Sequence, residues 1–424
     1  MPTVEPYSPL RSKIAGVDVA ALAREFGTPL YVYDAAKIVE RLEDLRSFDH
    51  VRYAQKACSN LAILDLVRRH GALVDTVSAG EIRRAMAAGY APTGAPPPIV
   101  YTADIFDREA LDLVIQHGIH VCCGSPHMID QLGREAPGCD ITLRLNPGFG
   151  HGHSQKTSTG GEHSKHGIWH AELADCLLMA DHRGLAVTGL HMHIGSGTDI
   201  EHLAQVCGAM EKAALEAGRT LTMISAGGGL PVPYREGESF VDLDAYFALW
   251  DATRKRLEDA FSHKVRLEIE PGRYLVAESG FLIAQICAVK RVGGNTFYLL
   301  DAGFNNLARP ILYGAYHPMS IVPLGSQAAN RATHDVVVGG PLCESGDIFT
   351  QEQGGFVSTR PLPAAEPGEY LVIERAGAYG SVMGSNYNSK PLAAEVLIYK
   401  GQPHLIRRRQ TFEELVEGES IPVL

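Results

Sequence analysis

Residues 51–88 read VRYAQKACSNLAILDLVRRHGALVDTVSAGEIRRAMAA. Val51–Ala54 is a short apolar run, and Leu61–His70 after it spaces its apolar residues as one face of a helix. The pattern then repeats, with Leu73–Val77 as a strand and Ala79–Ala88 as a helix. Strand, helix and strand in succession imply parallel pairing through right-handed crossovers. Working outward, candidate strands follow at Ile99–Thr102, His120–Cys123, Ile141–Leu145, Val187–Met192, Met223–Ser225 and Val265–Ile269. Amphipathic helices are expected at Arg108–Gln116, Ile200–Ala217 and Leu243–Ala260. Eight such units over roughly 250 residues predict a (β/α)8 barrel of the TIM type. A doubly wound open sheet is the competing arrangement, and periodicity alone does not separate the two.

After Ser279 the texture changes. Leu282–Val289, Thr296–Leu300, Asp335–Val338, Tyr370–Ile373 and Leu392–Tyr399 read as strands joined by Gly/Pro-rich turns, which predicts a C-terminal β-rich domain. The expected division is a barrel over residues 30–278, with 1–29 and 279–424 forming the β-rich domain. A length of 424 residues calls for two domains. His151–His166 (HGHSQKTSTGGEHSKH) is long enough to suggest a mobile lid. A net charge of -11 argues against nucleic acid as a partner. Met1 to Lys13 lacks the apolar region of a signal peptide, and no apolar run suits a membrane. Eight scattered cysteines without a CxxC pair or zinc spacing suggest free thiols in a reducing cytoplasm.

The residues that carry chemistry cluster at the ends of the proposed barrel strands, where such barrels build their active sites. Lys56 follows the first strand, Asp75 lies in the second and Arg144 in the fifth. His193 and Ser196 follow the sixth, Gly227–Gly229 the seventh, and Glu270 and Arg273 the eighth. An ammonium at Lys56 would be partly desolvated, which suits covalent bonding to a carbonyl, although a surface lysine also fits the position. Gly227, Gly228 and Gly229 form either a nest of N–H groups for a phosphate or a tight turn. His191 and His193 face the same way on a strand; His193 would serve as a metal ligand with His191, a planar partner for a ring or a core histidine, but no third ligand has matching spacing. Glu270 is placed to hold a pyridine nitrogen protonated, or to form a structural ion pair with Arg273. Beyond the barrel, NNLARPILYGAYHP (305–318), PLCESGD (341–347) and GAYGSVMGSNYN (377–388) mix Arg, Glu, Cys and Tyr with turn residues, as binding loops do.

The motifs YAQKACSN, VDTVSAGE, HMHIGSGT, AGGGLPVPY, EPGRYLV, RPILYGAYHP, GPLCESGD and GAYGSVMGSNYNSKP span about residues 30–395. In this order they resemble the diaminopimelate decarboxylases, of the fold-type III pyridoxal-phosphate group that also holds ornithine and arginine decarboxylases. The resemblance implies a pyridoxal 5'-phosphate barrel with a C-terminal β domain, in a homodimer with shared active sites. It implies decarboxylation of meso-2,6-diaminopimelate to L-lysine, the last step of lysine biosynthesis. By resemblance Lys56 would carry the cofactor, His193 would stack on its ring and Glu270 would contact the ring nitrogen. Ser196, Gly227–Gly229, Arg273 and Tyr379 would surround the phosphate, with Asp75, Arg144 and Gly272 also on the cofactor side. Arg273, Arg309 and Tyr313 would grip the non-reacting end of the substrate. Cys343 would donate a proton and Glu344 would bind a substrate amino group, both from the partner subunit. Cys58 and His166 depart from the commoner Asn and Phe and resemble an enterobacterial-type subgroup.

Decarboxylation of ornithine, arginine or lysine is the nearest alternative, but such substrates need no arginine clamp. A racemase of the alanine type would place an arginine, not Glu270, at the ring nitrogen. A non-catalytic cofactor-binding protein would lack the β-rich domain, and a barrel without cofactor would show no cofactor absorbance.

Overall fold

The computed structural model describes residues 7–150, 160–193, 200–218, 221–324 and 331–424. The first compact unit comprises residues 39–232 and 240–275. Its eight parallel strands are His50–Ala54, Leu73–Thr76, Ile99–Ala103, His120–Cys123, Asp140–Asn146, Ala186–Met192, Met223–Ser225 and Arg266–Ile269. Each pairs with the next. The eighth pairs with the first, through Glu268 opposite His50 and Ile269 opposite Val51. The sheet is therefore the closed barrel expected from the sequence, and the open-sheet alternative is ruled out.

The strand-to-helix turns explain why the chain reverses where it does. Asn60, Ser78, Asp107 and Ser125 each accept a hydrogen bond from the first turn of the helix that follows. Pro126 opens its helix at a position where no N–H is needed. At Ser78 the exchange is mutual: Ser78 Oγ accepts from Glu81 N at 3.2 Å, and Glu81 Oε2 accepts from Val77 N at 2.9 Å. A carboxylate is thereby pinned beside the end of the second strand.

Side chains alternate along each strand, so the barrel interior is built in layers. One layer holds the buried pair Arg52–Glu268, with Arg52 Nη2 donating to Glu268 Oε2 at 3.0 Å. His120 Nε2 lies 2.9 Å from Thr142 Oγ1 in the same part of the barrel. Gly189 has no room for a side chain, because a Cβ there would come within 2.6 Å of Thr142 Oγ1. The next residues along the same strands are Asp75, Cys122, Arg144, His191, Ser225 and, just past the last strand, Glu270.

The second unit comprises residues 2–38, 233–239 and 276–424. Its spine is the 13-residue strand Gly280–Val292. The first half of this strand pairs antiparallel with Leu30–Asp34 and Tyr370–Ile373. From Ile286 onward, with a register shift between Ile286 and Ala288, it pairs antiparallel with Asn295–Leu300. Leu30–Asp34 is flanked on its other side by the parallel strand Ala394–Tyr399. The sequence division at residue 30 put this strand with the barrel, but both its ladder partners belong to the second unit. Helix Val19–Phe26 closes an apolar core of Val19, Leu22, Val32, Ile283, Val372 and Val396. The suggested lid falls largely on 151–159, outside the described residues. No helix among the described residues is long and apolar enough to cross a membrane.

Candidate active site

Lys56 lies in a short 3-10 turn, Gln55–Ala57, immediately after the first barrel strand. Its side chain is exposed rather than partly desolvated as the sequence suggested, because the turn lifts it past the last ladder pairing to the open rim. It remains close enough for its charge to act on Asp75 and on Glu81.

Glu270 follows the eighth strand and is held from two sides. His191 Nε2 donates to its Oε2 at 2.7 Å, and Ser225 Oγ donates to its Oε1 at 2.8 Å. Burial by itself would push this carboxyl up, but His191, Ser225 and the Arg52 charge outweigh it and hold Glu270 below the usual carboxylate range. Asp75 goes the other way. It is buried and faces Glu270, so burial first and the neighbouring carboxylate second push its carboxyl up, against the opposing charge of Lys56. One carboxyl of the pair is thus held below the usual carboxylate range and the other above it.

His193 is neutral. Burial and the positive charges of Arg144 and Lys56 hold its imidazole well below the ordinary histidine value. Its Nδ1 accepts a hydrogen bond from Gly228 N at 3.1 Å, which leaves the proton on Nε2. His191 and His193 thus use their facing nitrogens on Glu270 and on the backbone, and not as a metal pair.

The glycine triplet shapes the end of the seventh strand. Gly227 and Gly229 have φ of 61° and 100°. A Cβ at Gly227 would lie 2.4 Å from the Met192 carbonyl, and one at Gly228 would lie 2.5 Å from the Glu270 carbonyl. Two of the three N–H groups expected to cradle a phosphate are already engaged: Gly227 N donates to Ser225 Oγ at 3.1 Å, and Gly228 N to His193. The triplet therefore orients Glu270 and His193 and offers its remaining N–H at Gly229.

Several features of this mouth fit pyridoxal phosphate. Arg144 is 7 % exposed and its side chain forms no hydrogen bond among the described residues, so a buried cation stands ready for an anionic group. His191 Nδ1 and Asp75 Oδ1 are buried without hydrogen-bond partners among the described residues. Gly272 packs against the first strand, where a Cβ would sit 3.2 Å from the Ala54 carbonyl. Arg273 begins the short helix Arg273–Val276. Ser196 lies outside the described residues.

The remaining candidates belong to the second unit. Arg309 and Tyr313 bound the short helix Arg309–Tyr313, closed by Gly314 at φ 61°. Arg309 is buried, its guanidinium lying 4.8 Å from the centre of the Tyr234 ring. Cys343 and Glu344 are exposed on a loop that Asp347 holds together: its carboxylate accepts from Phe304 N at 2.7 Å and Leu342 N at 2.8 Å. Cys343 N donates to Asn388 Oδ1 at 2.8 Å. Tyr379 takes a left-handed φ of 55° between Gly377 and Gly380, and a Cβ at Gly377 would lie only 1.9 Å from the Val276 carbonyl.

Sequence reasoning missed Ser225 and Asn388, and it read His191 only as a possible ligand. The signal for His191 was its place two residues before His193, on the same face of a strand. Ser225 was legible only as the last residue of the seventh strand.

Residues 35–277 match the family described as pyridoxal-dependent decarboxylase, pyridoxal binding domain. The chain is 54% identical over 415 residues to diaminopimelate decarboxylase of Streptomyces coelicolor, covering 97% of this chain and 94% of that one. It is 54% identical over 399 residues to the Escherichia coli K12 protein of the same name, covering 94% and 95%. A crystal structure of diaminopimelate decarboxylase superposes with a TM-score of 0.94 at 52% identity, covering 98% of this chain and 99% of that chain. The Helicobacter pylori enzyme in complex with L-lysine superposes with a TM-score of 0.83 at 30% identity, covering 95% and 99%. With the barrel, its mouth and these likenesses in agreement, the chain belongs to the diaminopimelate decarboxylase family of pyridoxal-dependent decarboxylases.

Proposed function

We propose that the chain removes carbon dioxide from meso-2,6-diaminopimelate to yield L-lysine, the final step of lysine biosynthesis. Pyridoxal phosphate, when bound, supplies a ring that takes up the electron pair left on an amino-acid α-carbon as its carboxylate departs. Lys56 carries the cofactor covalently. Glu270, kept ionised by His191 and Ser225, holds a proton on the ring nitrogen, and this held carboxylate is the observation that carries the reading. A racemase of the alanine type would present an arginine there. His193, neutral and fixed by the Gly228 N–H, would offer the ring a flat partner. Arg144, Gly229, Gly272, Arg273, Ser196 and Tyr379 hold the anionic end, with Asp75 beside Lys56.

Arg309, Tyr313 and Arg273 bind the substrate's far amino-acid head. Gripping it there would fix the orientation of the scissile carboxylate, so that binding energy at one end sets the geometry at the other. Glu344 meets an amino group and Cys343 returns a proton to the α-carbon, both reaching in from the partner of a homodimer. The exposure of these two side chains on one loop supports that role. A biosynthetic step on a small diamino acid supports a cytoplasmic setting for the enzyme.

The test is carbon dioxide release from the holoenzyme given meso-diaminopimelate, L-lysine, L-ornithine or L-arginine separately. Release from diaminopimelate alone is expected. Release only from a mono-carboxylate would keep fold and cofactor and overturn the substrate.

A further inference from the structure

Within RPILYGAYHP, His317 has no role in the chemistry above, yet it is among the most enclosed polar residues of the second unit, at 1 % exposure. Arg309 Nη1 lies 2.9 Å from His317 Nε2, and His317 Nδ1 lies 2.9 Å from the Glu374 carbonyl. A guanidinium can only donate and a carbonyl can only accept. The ring must therefore be neutral, accepting at Nε2 and donating from Nδ1.

Its surroundings leave it little freedom. The Tyr234 ring meets it edge-on at 5.4 Å and also covers the Arg309 guanidinium. Glu374, whose carbonyl anchors His317, is itself clamped: Arg11 donates to both its carboxylate oxygens at 2.7 and 2.9 Å, and Ser320 Oγ donates to one at 2.6 Å. The chain from Arg11 and Ser320 through Glu374 to His317 ends on the guanidinium.

We propose that His317 is a positioning residue that sets specificity: it aims Arg309 at the carboxylate that distinguishes an amino-acid head from a simple amine. This rests on the reading of Arg309 as the clamp for the far end of the substrate. An arginine side chain has several rotatable bonds, and discrimination between ligands differing by one carboxylate needs its fork held in one place. His317 supplies that restraint by accepting from Nη1 at Nε2.

The test compares the wild-type holoenzyme with His317→Phe, which keeps a ring of similar shape but neither nitrogen, and His317→Gln, which restores an acceptor for Arg309. Binding of L-lysine and of cadaverine, which lacks the carboxylate, is followed by the absorbance of the bound cofactor, alongside turnover of meso-diaminopimelate. In His317→Phe the preference for L-lysine over cadaverine should fall about tenfold or more, in line with loss of a hydrogen bond to a charged group. KM for diaminopimelate should rise more than kcat falls, and His317→Gln should recover part of the preference. A general packing defect would weaken both ligands alike. Equal preference in wild type and His317→Phe, or parallel weakening of both ligands, would overturn the proposal. A wild type that releases no carbon dioxide from diaminopimelate would instead overturn the functional reading on which the proposal stands.

Discussion

At the level of Arg52 the barrel closes its charges on themselves. Arg52 donates from Nε and Nη2 to Glu268 Oε2 at 3.1 and 3.0 Å and from Nη1 to the Pro97 carbonyl at 2.9 Å. His120 stays neutral beside them, its imidazole lowered to about 4 by burial and by the charges of Arg52 and Arg266. One layer nearer the carboxyl ends of the same strands, the charges are left open. Arg144 has no hydrogen-bonded counterpart among the described residues, Asp75 Oδ1 and His191 Nδ1 are orphaned, and two carboxyls face each other with their proton affinities driven apart. Both layers sit on the same eight strands, so the difference is one of task. The closed layer holds the barrel, and the open layer carries the groups that fit pyridoxal phosphate.

The comparison breaks most visibly at Lys56. Lys56→Ala should remove the cofactor-linked absorbance and all measurable turnover, while thermal unfolding changes little because the side chain is exposed. A variant with full turnover would contradict the assignment of Lys56. Glu268→Gln should do the reverse. Leaving Arg52 as an uncompensated buried cation should lower unfolding free energy by about 3–5 kcal/mol in urea titrations, with KM for diaminopimelate little changed. A large KM effect with little change in stability would show that the layers are not separate.

Glu81 sharpens the contrast further. Pinned by the Val77 N–H near Asp75, its carboxyl is raised to about 7, chiefly by burial. A carboxyl raised on folding contributes stability that is present below its unfolded value of 4.5 and is lost as pH rises through about 7. Glu81→Gln keeps an acceptor for Val77 and removes this dependence. It should match wild type near pH 4.5 and exceed it above pH 8 by up to about 3 kcal/mol, read from urea midpoints across pH. A pH-independent difference would place the effect elsewhere.

The sequence made the barrel legible because each strand and its following helix are local. Val51–Ala54 and Leu61–His70 carry their periods in consecutive residues, and Ser78 and Asp107 mark the helix starts. Leu30–Asp34 was harder to place. LYVYD reads as a strand, but which sheet it joins depends on Gly280–Ile283 and Ala394–Ile398, far along the chain. The same reason separates what was legible in the site from what was not. Glu270 and Lys56 stood out by their motifs. The engagement of Gly228 N by His193, and of Glu270 by Ser225, is set by neighbouring strands and has no signature in any one segment. Exposure of Lys56 follows from where a three-residue turn leaves the ladder, which residue types do not specify.

The placement of Leu30–Asp34 between two strands made much later has a consequence for synthesis. As the chain leaves the ribosome, this strand emerges before the barrel, yet neither edge of it can be paired until the barrel has been translated in full. All eight barrel strands lie between it and its first partner, so the barrel is free to close while the β-rich unit still lacks its centre. For that interval LYVYD is an apolar strand with two open edges, the kind of segment that nascent-chain chaperones cover. The second unit is thus expected to become native after the barrel, because its central pairings span most of the chain.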